Sequence, residues 1–252
     1  MIESVERLYW NAVREALRGR RQVRSVLLAS ADEGEDDLGL EPVLAEWSRQ
    51  AGKKIPPVHR LGPRELTARL RTPEHQGIAA EVELYPYVDE GALLAQSTLL
   101  VALDEVQDPH NLGAVIRTAE AAGAGVLIPR HRAAEVTAAV VKASAGATEH
   151  ALVAQVRNLS DLLTAAKERG FWVYGAAAEA EEDYAEQDYS YPTCFVLGSE
   201  GEGLGRRVAS LCDVMVSLPL LGRVGSLNVS VSAGVLLYEA LRQRHRQGGG
   251  RP

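Results

Sequence analysis

The sequence predicts an α/β protein: a parallel sheet with helices on both faces, preceded by a small α/β unit. Three observations predict it. From Thr98 onward, short runs rich in Val, Leu and Ile alternate with longer segments of helical spacing, with Gly or Pro between them. Those runs are apolar throughout rather than alternating, which marks strands buried on both faces. Apolar residues make up 46% of the chain and aromatics only 5%, so the core must be built from Ala, Val and Leu. At 252 residues the chain suits one large domain or two small ones.

Residues 1–90 read as the small unit. Ser4 can cap a helix whose apolar positions Val5, Leu8, Tyr9, Ala12, Val13, Ala16 and Leu17 follow helical spacing, with Gly19 as its end. Val23–Ala29 reads as a strand, Leu40–Ala51 as a helix stopped by Gly52, Pro63–Leu70 as a helix and Gly77–Leu84 as a strand. Mixed turn and helix signals from Pro86 to Ala95 suggest a linker, placed at residues 91–97. The larger domain then spans residues 98–246. Its expected strands are Leu99–Leu103, Gly125–Ile128, Phe171–Tyr174, Cys194–Leu197 and Val214–Leu218. Its expected helices are Leu112–Ala122, Ala133–Ala143, Leu159–Arg169 and Leu227–Arg244. The Gly-rich tail, residues 247–252, is expected to be disordered.

Composition narrows the function classes. Charges in the first residues exclude a signal peptide, and no apolar run reaches membrane-spanning length, so a cytoplasmic protein is expected. The two cysteines, Cys194 and Cys212, lack neighbours at metal-ligand spacing and read as buried thiols; no metal is expected. The formal net charge is −7, yet Arg14, Arg18, Arg20, Arg21 and Arg24 cluster near the start. They form either a basic face on an acidic protein or an ordinary solvated surface. The acidic stretch Asp32–Asp37 reads as an exposed loop.

Ligands of such sheets bind at the carboxyl ends of the strands. Three segments put unusual residues there. In Leu103–Ala124 a strand ends in a polar loop containing His110, and Asn111 reads as the N-cap of the next helix. Arg117 lies four residues beyond Gly113 on the same helix face, so it either overhangs a ligand or pairs with Glu120. In Cys194–Gly205 a strand runs into alternating glycines, Gly198, Gly201, Gly203 and Gly205, which allow positive φ and close backbone approach. The pattern is neither the dinucleotide fingerprint nor a phosphate loop, and Glu200 and Glu202 would repel a phosphate. In Leu218–Gly234 a strand, Pro219 and a loop with Gly222 and Gly225 lead into the last helix. Its first turns carry Asn228, Ser230 and Ser232 in an otherwise apolar sequence. Ser226 or Asn228 is at least an N-cap, and buried polar groups there would need partners from a ligand or a facing subunit.

Together these segments resemble the three signature motifs of the SpoU (TrmH-type) family of RNA 2′-O-ribose methyltransferases. The resemblance rests on Asn111-Leu112-Gly113 with Arg117, on Gly198-x-Glu200-Gly201-x-Gly203-Leu204, and on Pro219 with Ser226-Leu227-Asn228-Val229-Ser230. It runs from about Leu99 to Arg244. His75-Gln76-Gly77-Ile78 resembles the domain boundary of the RlmB-like branch, whose N-terminal domain is similar to small ribosomal-protein-type RNA binders. Trp10 stands where relatives commonly have glycine.

The resemblance implies S-adenosylmethionine as cofactor and RNA as substrate, most specifically a guanosine in the peptidyl-transferase region of 23S rRNA. It also implies a homodimer and a C-terminal trefoil knot, which general topology rules would never suggest. Asn111, Arg117, Glu200, Ser226 and Asn228 are the implied catalytic set. Ala176, Ala177, Gly198, Gly201, Leu218, Leu220 and Leu227 are the implied cofactor contacts. Arg14, Arg18, Arg21 and Arg117 are the expected RNA contacts. Transfer RNA, a uridine target and a non-catalytic RNA-binding role in ribosome assembly remain alternatives. A nucleotide-dependent oxidoreductase is disfavoured by the missing dinucleotide fingerprint.

Overall fold

The computed structural model describes residues 2–5, 10–30, 40–73, 77–199, 201 and 203–248. In chain order the elements are β1 (Ile2–Val5), α1 (Trp10–Arg18), β2 (Val23–Ala29), α2 (Leu40–Gln50), β3 (Val58–Leu61), α3 (Pro63–Leu70), β4 (Ile78–Val82), α4 (Glu90–Gln96), β5 (Leu99–Leu103), α5 (Pro109–Ala121), β6 (Gly125–Pro129) and α6 (Ala138–Ala143). They continue with β7 (Val153–Val156), α7 (Leu159–Glu168), β8 (Trp172–Ala176), β9 (Glu182–Asp183), β10 (Thr193–Leu197), α8 (Arg206–Ala209), β11 (Val214–Ser217) and α9 (Val229–Gly248). The chain divides into two compact units, Met1–Pro86 with Val136–His150, and Tyr87–Glu135 with Ala151–Pro252.

The first unit holds a four-stranded mixed sheet in the order β1-β4-β2-β3. β2 pairs antiparallel with β4 and parallel with β3. Ala12, Val13, Ala16 and Leu17 of α1 are buried, as the helical spacing requires. The expected cap at Ser4 is not formed: Ile2–Val5 is a strand paired antiparallel with β4. Pairing with an apolar strand far along the chain overrides local helical spacing here. Arg21 is a second correction. It is 2% exposed and its Nε donates to Glu149 at 2.9 Å, so it is a buried ion-pair partner and no RNA contact. The Tyr85 ring lies 5.8 Å from the guanidinium carbon, and the Tyr85 hydroxyl donates to the Thr148 carbonyl at 3.0 Å. Gly19 is required beside this pair, since a Cβ there would lie 2.4 Å from the Glu149 Cβ.

The second unit holds a seven-stranded sheet in the order β7-β6-β5-β10-β8-β11-β9, parallel throughout. All five residues of β5 and of β10 are buried, which accounts for their unbroken apolar sequences. Leu93 and Leu94 of α4, Leu159, Leu162, Leu163 and Ala166 of α7, and Val208 of α8 join one buried cluster with Leu100, Ala102, Cys194 and Val196. α9 packs on α5, β10 and β5. Its buried positions Val229, Ala233, Leu236, Leu237 and Ala240 form one stripe. Near its end Arg244 donates to the carbonyls of Tyr189, Thr98 and Tyr191 at 2.9, 3.0 and 2.7 Å, tying the helix to the amino ends of β5 and β10.

Three further expectations change. Residues 91–97 fall almost wholly within α4, started by Asp89, whose carboxylate accepts from the Ala92 amide at 2.9 Å. Segment 136–150, expected inside a continuous 98–246 domain, belongs to the first compact unit. α9 continues through Gly248, past the expected end at Arg244; residues 249–252 of the expected tail lie outside the described residues, as do Asp32–Asp37.

The register sets up the site. Leu103 pairs with Leu197, Leu197 with Ala176, and Ala176 with Val216. Three neighbouring strands, β5, β10 and β8, therefore end on one rung, and β11 ends one residue beyond it. The segments that follow, from Asp104, Ala177, Gly198 and Leu218, all leave the same edge of the sheet.

Candidate active site

The loops on that edge enclose a cavity of about 310 Å³. Ala176, Ala177, Gly198, Gly201, Leu218, Leu220 and Leu227 all line it, so the expected cofactor contacts converge. Ser226 lines it too. Ser232, one of the polar residues noted in the first turns of the last helix, and Val229 also line it, as do Ser199 and Glu179, which the sequence did not single out. Ser199 follows the signalled Gly198 directly. Glu179 sits in a loop that carries no motif and gave no signal.

The glycines have divided roles. A Cβ on Gly198 would lie 2.1 Å from the Gly203 carbonyl, because the loop folds back on itself with a bridge between Ser199 and Gly203. Gly198 thus serves the loop's own closure. Gly201 and Gly203 have φ of +92° and +68°, with open space where a Cβ would project. The base of the loop is tied by Asp104, which accepts from the Gly205 amide at 2.8 Å and is itself buried. Burial pushes its carboxyl above the usual range, the Gly205 amide pulls it part of the way back, and Glu105 pushes it up again.

Asn228 stands just before α9. Its Oδ1 accepts from the Ser230 amide at 2.9 Å and the Ser230 hydroxyl at 2.6 Å. Its Nδ2 donates to Asn111 Oδ1 at 2.9 Å. Helix capping and the link to Asn111 therefore fix the orientation of one amide. Asn228 and Ser230 are not buried groups awaiting a ligand; they satisfy each other at the surface, while Ser232 faces the cavity. A second cavity, also of about 310 Å³, lies beside Asn111 and is lined by Glu105, Val106, Gln107, Asp108, Ser199 and Val229. Ser199 and Val229 are shared walls of both cavities.

Asn111 is not the N-cap of α5. Asp108 is, with its carboxylate accepting from the His110 amide at 2.9 Å. The helix starts earlier than expected because Pro109 suits a first helical position. His110 consequently lies in its first turn, not in a loop. Arg117 is exposed, lies outside both cavity walls and makes no ion pair with Glu120 or any other described residue. Gly113 is buried, so no ligand reaches the helix backbone beneath it. Glu200 and Glu202 lie outside the described residues. In the first unit Arg14 is half-buried against Glu15, and exposed Arg18 donates to Gln50 at 2.6 Å. Among the described residues there is no cluster of three or more His, Cys, Asp or Glu suited to a metal, and no helix long and apolar enough to cross a membrane.

Comparison with known proteins identifies the family. Residues 98–238 match the model of the SpoU rRNA methylase family, and residues 10–88 match a domain described as RNA 2′-O ribose methyltransferase substrate binding. The chain is 40% identical over 245 residues to YacO of Bacillus subtilis, assigned to the TrmH family of tRNA/rRNA methyltransferases; the match covers 94% of this chain and 95% of that protein. It is also 40% identical over 250 residues to a tRNA/rRNA methyltransferase of Synechocystis, covering 96% of this chain and 64% of that one. The structure is similar to the SpoU methyltransferase AviRb of Streptomyces viridochromogenes in complex with its cofactor AdoMet. The TM-score is 0.75 at 25% identity, over 98% of this chain and 91% of AviRb. The chain belongs to the SpoU rRNA methylase family, RNA methyltransferases that use S-adenosylmethionine.

Proposed function

We propose that this protein methylates a ribose 2′-hydroxyl of 23S rRNA, at a guanosine of the peptidyl-transferase region, as an RlmB-like cytoplasmic homodimer. The observation that carries the reading is the Asn228–Asn111 hydrogen bond, which joins two of the three motif segments where the two cavities meet. The first cavity, lined by Gly198 and Leu227, fits S-adenosylmethionine in chemistry. Its walls are mostly small or aliphatic, Gly201, Gly203 and Gly225 leave open space over their backbone, and Ser199, Ser226 and Ser232 offer hydroxyls. Ala176, Ala177, Gly198, Gly201, Leu218, Leu220 and Leu227 would hold the cofactor. When bound, the cofactor supplies an electrophilic methyl group on a sulfonium.

The remaining chemistry belongs to the chain. A ribose hydroxyl is a poor nucleophile until a base or a positive field lowers its pKa. A guanidinium holds its protons too tightly to be that base. Arg117 instead grips the adjacent phosphate, so that a phosphate oxygen or water takes the proton; its exposure and lack of an ion pair support this role. Asn111, held by Asn228, orients the ribose, and Ser226 orders the cavity wall. Glu200 steadies Arg117 or a loop amide. Arg14 and Arg18 would contact RNA from the first unit. The expected trefoil knot belongs to the same reading: after β11 the chain returns to pack α9 on β5 and β10.

The decisive measurement pairs methyl incorporation into ribosomal RNA lacking the modification with cofactor titration. Arg117→Ala should abolish transfer and leave cofactor affinity within about twofold. Retained turnover would refute its role. Mapping the product distinguishes 23S guanosine from a uridine or a transfer RNA target, and no incorporation into any RNA would favour a non-catalytic role.

A further inference from the structure

Among the described residues lining the cavity that Gly198 and Leu227 share, one side chain is ionisable: Glu179. It lies three residues beyond the end of β8, is exposed, and makes no ion pair with any described residue. The other walls are aliphatic, glycine or serine. A carboxylate on a cavity whose other described walls are neutral repels phosphate-bearing ligands and attracts a cation. S-adenosylmethionine carries a carboxylate, an ammonium and a sulfonium, a net charge of plus one. When its methyl group leaves for the ribose oxygen, the sulfur keeps the electron pair and becomes a neutral thioether. The hydroxyl proton departs separately. S-adenosylhomocysteine is thus a zwitterion of net charge zero.

We infer that Glu179 discriminates by charge between these two molecules, holding the cofactor and loosening its grip on the spent product. This rests on the reading of the cavity as the cofactor site. Methyl transfer removes the charge that Glu179 attracts, so product release is favoured by the reaction itself. Because Glu179 is exposed on the rim, solvent weakens the attraction. For unit charges about 6 Å apart in a medium close to water, the difference amounts to about three- to tenfold in affinity. Added salt screens it further.

The test is calorimetric titration of the full chain with three ligands. They are S-adenosylmethionine, S-adenosylhomocysteine and sinefungin, whose protonated amine replaces the methylsulfonium. Glu179→Gln should weaken the two cationic ligands about three- to tenfold and change S-adenosylhomocysteine by less than twofold. Raising the KCl concentration should narrow the wild-type preference and leave the variant unaffected. Glu179→Lys should shift the preference further toward S-adenosylhomocysteine. Equal losses for all three ligands, or none, overturn the inference. Ala177→Trp fills the cavity and tests the underlying reading separately. If that variant melts like the wild type and still binds S-adenosylmethionine, the cavity is not the cofactor site. If it loses binding while Glu179→Gln treats all ligands alike, only the charge discrimination fails.

Discussion

Asp104 shows how one side chain serves a loop at a cost. Its carboxylate holds the Gly205 amide, yet burial favours its protonated form. Since its folded pKa is raised, the folded state binds the proton more tightly than the unfolded one. Its contribution is best below the unfolded pKa and is eroded as pH rises from there through the folded value. Asp104→Asn keeps an oxygen for the Gly205 amide and removes the buried charge. Thermal melts from about pH 3 to pH 7 should therefore show the variant gaining on the wild type as pH rises, then levelling off. A constant difference across that range would mean the carboxylate carries no such cost. Neither Asp104 nor Arg21 was legible in the sequence. Arg21 stands among four other arginines and reads as surface, but its partner Glu149 is 128 residues away. Local charge clustering carries no information about such a partner. The motif segments were legible because each follows a strand and carries glycines.

At the scale of elements, legibility followed burial. β5, β10 and α7 came through within a residue or so because their apolar patterns are regular, and α3 because Pro63 marks its start. β1, β3, β7 and β9 did not: they are two to four residues long and owe their strand form to pairing partners elsewhere in the chain. α4 was hidden because Pro86 and Gly91 mimic a linker, while Leu93 and Leu94 bury it. The start of α9 combines two tasks in Asn228, capping and orienting Asn111. They can be separated. Asn228→Asp retains a good N-cap, so the melting temperature should stay within about 2 °C, a shift expected from less than 1 kcal/mol. An acceptor now faces Asn111, whose amide must reverse to donate. Methyl transfer should then fall about tenfold or more in kcat, with cofactor affinity little changed. A loss of stability matching the loss of activity would instead make Asn228 a structural cap alone.

At the scale of the whole molecule, α9 has more apolar surface than its own unit buries. Its buried stripe runs through Val229, Ala233, Leu236, Leu237 and Ala240. Val231 and Tyr238, two helical turns apart on the opposite face, are 50% and 51% exposed. Leu221 and Val224, in the loop before the helix, are 101% and 65% exposed. Exposed apolar side chains of this kind suit an interaction site, and the proposed homodimer would cover them with the same surface of a second copy. The sequence hinted at this surplus, since the helix looked apolar nearly all round, but only the packing separates the core stripe from the remainder. Multi-angle light scattering at micromolar concentration should give twice the chain mass. Val231→Glu combined with Tyr238→Glu should give the monomer mass with an unchanged circular dichroism spectrum, because both positions are already solvated in the single chain. A wild type that stays monomeric would remove the dimer from the proposal while leaving the proposed cofactor cavity, lined by residues of one chain, intact.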